Sequence, residues 1–166
     1  NYQKVLIEKE HKWKFEYLST GTQSVTLLEL YIKALRQREK MPIVIIEEPE
    51  QHLFPKEQFE LVKFLLKNCG RITLITHSPY ILFSLSLLMY AHYLGTHFPD
   101  RRKEVEKLIP AEYWLDPADF FGYEFHRNGE VVPIPQDEVG MITRDTIGKV
   151  KGELETIFDS LLEIEE

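Results

Sequence analysis

MPIVIIEEPEQHLFPKEQFELVKFLLKNCGRITLITHSP, residues 41–79, is the stretch whose reading decides the fold. Pro42 introduces Ile43, Val44, Ile45 and Ile46, an apolar run without polar alternation. Such a run predicts a strand covered on both faces in a parallel sheet. Pro55 stands where the first turn of a helix tolerates proline, and Phe59, Val62, Leu65 and Leu66 recur at helical spacing until Asn68 and Gly70 stop the pattern. Ile72, Thr73, Leu74 and Ile75 read as a second buried strand. Residues 43–76 therefore predict one parallel βαβ unit with a right-handed crossover, and the fold class is α/β.

Ligands of open parallel sheets collect beyond the carboxyl ends of the strands. Those ends carry Glu47 and Glu48 on one strand, Thr76 and His77 on the other. One carboxylate can hold a hydrated Mg²⁺ on nucleotide phosphates while its neighbour polarises an attacking water. Glu50 adds a third carboxylate within four residues, and a bound cation would relieve their repulsion. An imidazole at position 77 can donate to a γ-phosphate or to the attacking water, on a loop fixed by Ser78 and Pro79. Taken singly, acidic residues after a buried strand and a histidine at a strand end also have ordinary structural uses.

Upstream, Lys4–Glu8 and Lys14–Tyr17 predict two short strands in a hairpin. Leu18, Ser19, Thr20, Gly21, Thr22 and Gln23 come next, and they allow two readings. They are a helix cap with a permissive glycine, or an anion site built from a serine hydroxyl, an exposed glycine N–H and the helix start. From Gln23 to about Lys40 the positions Leu27, Leu28, Tyr31, Ala34 and Leu35 predict a helix with one buried face.

Downstream, residues 72–99 contain no Asp, Glu, Lys or Arg, a length that raises a membrane span. His77, Ser78 and Pro79 break the stretch early and Ser84 and Ser86 interrupt it again, so a buried strand followed by a buried helix is the better account. Asp100–Lys107 predicts a solvated helix face. Phe121–Phe125 and Glu130–Ile134 flank an Asn128-Gly129 pair, which predicts a small β-hairpin closing the sheet region. Ile147, Val150, Leu154, Ile157, Phe158 and Leu161 trace a last helix that ends in the acidic tail Glu163–Glu166.

The chain has 166 residues, 43% of them hydrophobic, enough for one compact unit. Its formal charge of -7, with one dense basic cluster at Arg101, Arg102 and Lys103, argues against a nonspecific nucleic-acid clamp. Cys69 is the single cysteine, so no internal disulfide forms, and a reducing cytoplasmic setting is expected. No export segment opens the chain at Asn1, and the absent initiator Met suggests a piece of a longer protein.

LSTGTQ at 18–23, IVIIEEPEQHLFP at 43–55 and LITHSPYIL at 74–82 resemble, in order and spacing, the segments of ABC-class ATPases. The resemblance implies a signature motif at 18–23, Walker B at 43–48, a D-loop at 50–55 and a switch-histidine loop at 76–80. It implies a partial P-loop NTPase fold, with a parallel βαβ core, flanking helices and a small hairpin near the C-terminus. EEPEQHLFP and THSPYIL resemble the OLD and RecF-like group, whereas transporter subunits usually continue Asp-Glu-Pro-Thr. By this likeness Glu48 is the catalytic carboxylate, Glu47 the Mg²⁺-associated acid acting through water, and His77 the residue that senses the γ-phosphate. Ser19, Gly21 and Gln23 match the signature positions that meet the ATP of an opposing subunit. Position 47 is Glu where most ABC proteins have Asp, and Thr22 stands where Gly or Glu is more usual.

No G-x-x-x-x-G-K-[S/T] phosphate cradle occurs in the sequence. The resemblance thus implies the C-terminal portion of one ATPase domain, whose partners are an N-terminal Walker A lobe and a second copy dimerising around ATP and Mg²⁺. A DNA-related process or a partner nuclease is the expected setting, with no membrane. The competing expectation is a non-catalytic scaffold or regulatory module on a degenerate ATPase fold, and a transporter subunit ranks below both.

Overall fold

The computed structural model describes residues 5–8, 11–38, 41–142, 160–162 and 164. In chain order the elements are β1 (Val5–Glu8), β2 (His11–Lys14), α1 (Thr20–Arg38), β3 (Ile43–Glu47), α2 (Pro55–Asn68) and β4 (Arg71–Ile75). They continue with α3 (Pro79–His97), α4 (Arg102–Leu108), β5 (Tyr123–Phe125) and β6 (Val131–Pro133).

β1 and β2 form the expected antiparallel hairpin, but its second strand lies earlier than residues 14–17. The register sets Glu8 opposite His11 and Val5 opposite Lys14, so β2 has met the whole of β1 by Lys14. Phe15–Tyr17 turns instead as a 3₁₀ helix.

The βαβ reading holds. β3 and β4 pair in parallel from Ile43 opposite Arg71 to Glu47 opposite Ile75, and the Gly70 N–H donates to the Pro42 carbonyl at 2.9 Å where both strands start. Only one face of this sheet is covered among the described residues, which corrects the expectation of burial on both. Val44 is buried and Ile46, Ile72 and Leu74 pack with Ile32 of α1 and Leu61 and Leu65 of α2. Ile43 and Ile45 are 69% and 74% exposed, and Ile75 is half exposed. The physical reason is that the described helices packing on the sheet meet the Val44 and Ile46 side of the pleat, whose side chains alternate.

α1 also departs from expectation. Its inward stripe is Gly21, Val25, Leu28, Ile32 and Leu35, with Ile32 completely buried, whereas Leu27, Leu30 and Tyr31 are exposed. Two apolar stripes at helical spacing coexist on this helix, and the sheet takes the one centred on Ile32.

The main core surrounds α3. Leu87, Leu88, Met89, Tyr90, Ala91 and Leu94 have essentially no exposure and pack with Phe59 and Val62 of α2, Val105 of α4, Ile109, Met141, Ile142 and Leu161. A helix apolar on all sides belongs at the centre of a domain. Its serines are satisfied by backbone: Ser84 Oγ donates to the Tyr80 carbonyl at 2.7 Å and Ser86 Oγ to the Ile142 carbonyl at 3.5 Å. Among the described residues no helix is long and apolar enough to cross a membrane.

α4 is the expected charged helix, anchored by fully buried Val105 and laced by an Arg102–Glu106 pair at 2.9 Å. β5 and β6 form the expected hairpin, with Gly129 at φ 85 in its turn. It is a separate two-stranded sheet with largely exposed side chains, so it does not close the β3–β4 sheet. Of the last helix, residues 147–159 lie outside the described residues, and Leu161 is buried in the main core.

Candidate functional site

β3 and β4 end side by side, and short polar contacts hold the segments that leave them. The Glu48 N–H donates to the Ile75 carbonyl at 2.7 Å, extending the ladder by one bond. Glu48 then takes φ 46, in the left-handed region, and His52 takes φ 62. A non-glycine residue in this region marks a backbone fixed by its surroundings. Between them the Gln51 N–H donates to the Glu48 carbonyl at 3.1 Å and the Leu53 N–H to the Glu50 carbonyl at 2.9 Å. Residues 48–53 are thus a tight turn.

The two residues expected to be catalytic meet here. Glu48 Oε1 lies 3.8 Å from His77 Nε2, with the Glu48 side chain 38% and the His77 side chain 84% exposed. Gln51 Nε2 donates to the other Glu48 oxygen. A carboxylate braced by an amide and facing an imidazole at an open sheet end can orient a water and a phosphate oxygen. Glu47 is the last residue of β3, exposed in the same burial phase as Ile43 and Ile45.

Glu50 behaves differently from its neighbours. Its Oε1 accepts from Thr76 Oγ1 at 2.7 Å and from the His77 N–H at 2.9 Å, while its Oε2 is buried without a hydrogen-bond partner among the described residues. The Ser78 N–H donates to Thr76 Oγ1 at 2.9 Å. Ser78 Oγ donates to Gln58 Oε1 at 2.6 Å and accepts from the Tyr80 N–H at 3.2 Å, capping α3. Buried Gln58 donates in turn to the Leu53 carbonyl at 3.0 Å. Sequence reasoning missed Glu50, Gln51 and Gln58 as holders of this geometry. The legible signal was Gln58, a polar residue beside Phe59 on the inward face of α2.

The 18–23 segment forms the helix cap of the first reading, and the glycine that the anion-site reading expected to be exposed is buried. Ser19 precedes α1 and accepts the Thr22 N–H on Oγ at 3.2 Å, with a further 2.8 Å contact to Thr22 Oγ1. Gln23 Nε2 donates to the Leu18 carbonyl at 2.8 Å. Gly21 is buried, not exposed, because it packs on the turn after β3. A Cβ there would collide with the His52 carbonyl oxygen and crowd Leu53. Glycine at 21 is therefore required by a close backbone approach. Side chains at 19, 20 and 22 remain exposed at the helix start.

For Mg²⁺, the donor set is adjacent carboxylates at an open edge, and no cluster of three His, Cys, Asp or Glu ligands occurs among the described residues. The carboxylate oxygens of Glu47 and Glu48 are the hard donors that Mg²⁺ takes, and an ion that keeps several waters needs only one or two of them.

Residues 2–82 match the family model of an AAA ATPase domain. The AAA ATPase match spans β1 to the start of α3 and contains Ser19, Gly21, Gln23, Glu47, Glu48 and His77. The matched residues are just under half of the chain, and the small parallel sheet lies within them. No curated protein and no solved structure matches the chain.

Proposed function

We infer that the chain is the C-terminal portion of an ATP-hydrolysing domain of the ABC class, of OLD or RecF-like type. The observation that carries this reading is the Glu48–His77 pair, 3.8 Å apart at the open end of the β3–β4 sheet, inside the segment that matches an AAA ATPase domain. Glu48 accepts the proton of the attacking water, and the Gln51 amide on its second oxygen holds the carboxylate in place. His77 donates to the γ-phosphate side of that water, and its exposure leaves it open to a nucleotide. Glu47 is the residue that would hold an Mg²⁺, and the ion would supply charge neutralisation on the phosphates. Ser19, Gly21 and Gln23 serve the ATP of an opposing subunit, Gly21 through its backbone only, since its Cα side is packed on His52. ATP-driven dimerisation then controls a DNA-related process or a partner nuclease.

The test is steady-state ATP turnover by the complete gene product and by Glu48→Gln. Loss of the base is expected to lower kcat at least about 100-fold while leaving an ATP-bound dimer detectable by size. Unchanged turnover sinks the reading. Residues 1–166 alone should hydrolyse no ATP, because they contain no phosphate cradle. The alternative, a scaffold that keeps the fold without turnover, prevails if the complete product neither binds nor hydrolyses ATP.

A further inference from the structure

The turn after β3 and the histidine loop after β4 are joined by one side chain. Glu50 Oε1 takes the Thr76 hydroxyl at 2.7 Å and the His77 backbone N–H at 2.9 Å, so one oxygen fixes both residues of the loop. Hydrogen bonds to an ionised acceptor are the strong ones, and two on one oxygen set position as well as attraction. The other oxygen, Oε2, is buried with no hydrogen-bond partner among the described residues. Glu48 stands two residues away at φ 46, where the turn fixes its backbone and Gln51 holds its carboxylate. The distance between Glu48 and His77 therefore depends on how the two segments are pinned together.

We propose that Glu50 is a positioning residue that clasps the Thr76–His77 backbone to the turn at 48–53 and so sets the Glu48–His77 geometry. Its catalytic consequence rests on the hydrolysis reading, but the clasp itself is a statement about hydrogen bonds and can be measured without nucleotide. Ser78, Gln58 and Leu53 extend the connection through the 2.6 Å and 3.0 Å bonds to the same turn. The Thr76–Glu50 bond joins turn and loop directly, side chain to side chain.

The first experiment uses the 166-residue chain and follows the His77 backbone amide by NMR, with amide exchange. Glu50→Ala is expected to move the amide signal upfield and speed its exchange about tenfold or more, while Glu50→Gln, which keeps a carbonyl oxygen, restores most of both. An unmoved, equally protected His77 amide in folded Glu50→Ala overturns the proposal. If Glu50→Ala fails to fold, Thr76→Val removes one arm of the clasp, and it must still speed exchange at His77. The second experiment measures ATP turnover by the complete product. Glu50→Ala should lower kcat about 10- to 100-fold with KM for ATP nearly unchanged, as expected for misplaced groups, and Glu50→Gln should recover most of kcat. Wild-type kcat in Glu50→Ala, beside a Glu48→Gln control that abolishes turnover, overturns the proposal. If Glu48→Gln itself has no effect, the hydrolysis reading falls and the clasp is judged by the His77 amide alone.

Discussion

α1 and α3 are each 19 residues long and each starts behind a serine, yet they do opposite work. α3 is buried from Ile81 to Gly95 on nearly every side, and its residues make the main core. α1 buries Gly21 and Ile32, rests on the sheet by one stripe, and exposes Leu27, Leu30 and Tyr31. Length and cap therefore say little about what a helix contributes. The number of sides on which it meets other elements decides, and the candidate residues Ser19, Gly21 and Gln23 at the start of α1 belong to the thinner layer.

The largest effect should come from the same truncation made in each helix. Leu88→Ala in α3 removes a completely buried side chain and should cost about 2–5 kcal/mol. Leu30→Ala in α1, already 58% exposed, should cost less than about 0.5 kcal/mol. Urea unfolding midpoints of the two variants check the difference, and equal losses would break the comparison.

Legibility in the sequence divides along the same line. The βαβ unit was legible because IVII and ITLI are bounded by proline and glycine, and α3 because a long uncharged run has few other homes. The face of α1 was not legible, since Leu27, Tyr31 and Ala34 recur three or four residues apart just as Val25, Leu28 and Ile32 do. Only the sheet chooses between them. The bare side of Ile43 and Ile45 was hidden for a related reason: a strand without polar alternation gives no sign of which face is covered. Glu48 and His77 could be paired from motif order, whereas the Glu50 clasp could not, because its partners stand 26 and 27 residues away.

The serines offer a finer test. Ser19 caps α1 at an exposed position, and Ser19→Ala should cost about 1 kcal/mol. Ser78 caps α3 and also donates to Gln58 in a half-buried setting, so its loss leaves the Gln58 oxygen unpaired. Ser78→Ala should cost about 2–3 kcal/mol, a cap plus an unsatisfied buried acceptor. Paired denaturation curves measure both. If Ser19→Ala proved the costlier change, α1 would be more than a thin outer layer.

The smallest effect concerns how α2 is tied to its two sides. Toward α1, Arg36 Nη1 donates to Asn68 Oδ1 at 2.8 Å, an acceptor that does not titrate. Toward the 3₁₀ turn Ala111–Tyr113, Lys67 pairs with Glu112 at 2.9 Å. The hydrogen bond to Lys67 holds the Glu112 carboxyl below its ordinary value, the same bond holds the Lys67 ammonium above its own, and a separate hydrogen bond to Glu112 raises the Tyr113 hydroxyl. A lowered carboxyl contributes stability that is present above its unfolded pKa and disappears as pH falls through the folded value. A raised ammonium contributes stability that is present below its unfolded pKa and disappears as pH rises through the folded value. The pair should therefore help across the neutral range and fail at both extremes, weakly, since both groups are open to solvent and salt. Thermal melts of Lys67→Met against wild type should show a small deficit at neutral pH that vanishes in acid and in concentrated salt, whereas the deficit of Asn68→Ala should persist in acid. A Lys67→Met deficit that survives acid would mean that the Lys67 ammonium, 5.6 Å from the centre of the Tyr113 ring, is held by the aromatic face as well as by Glu112.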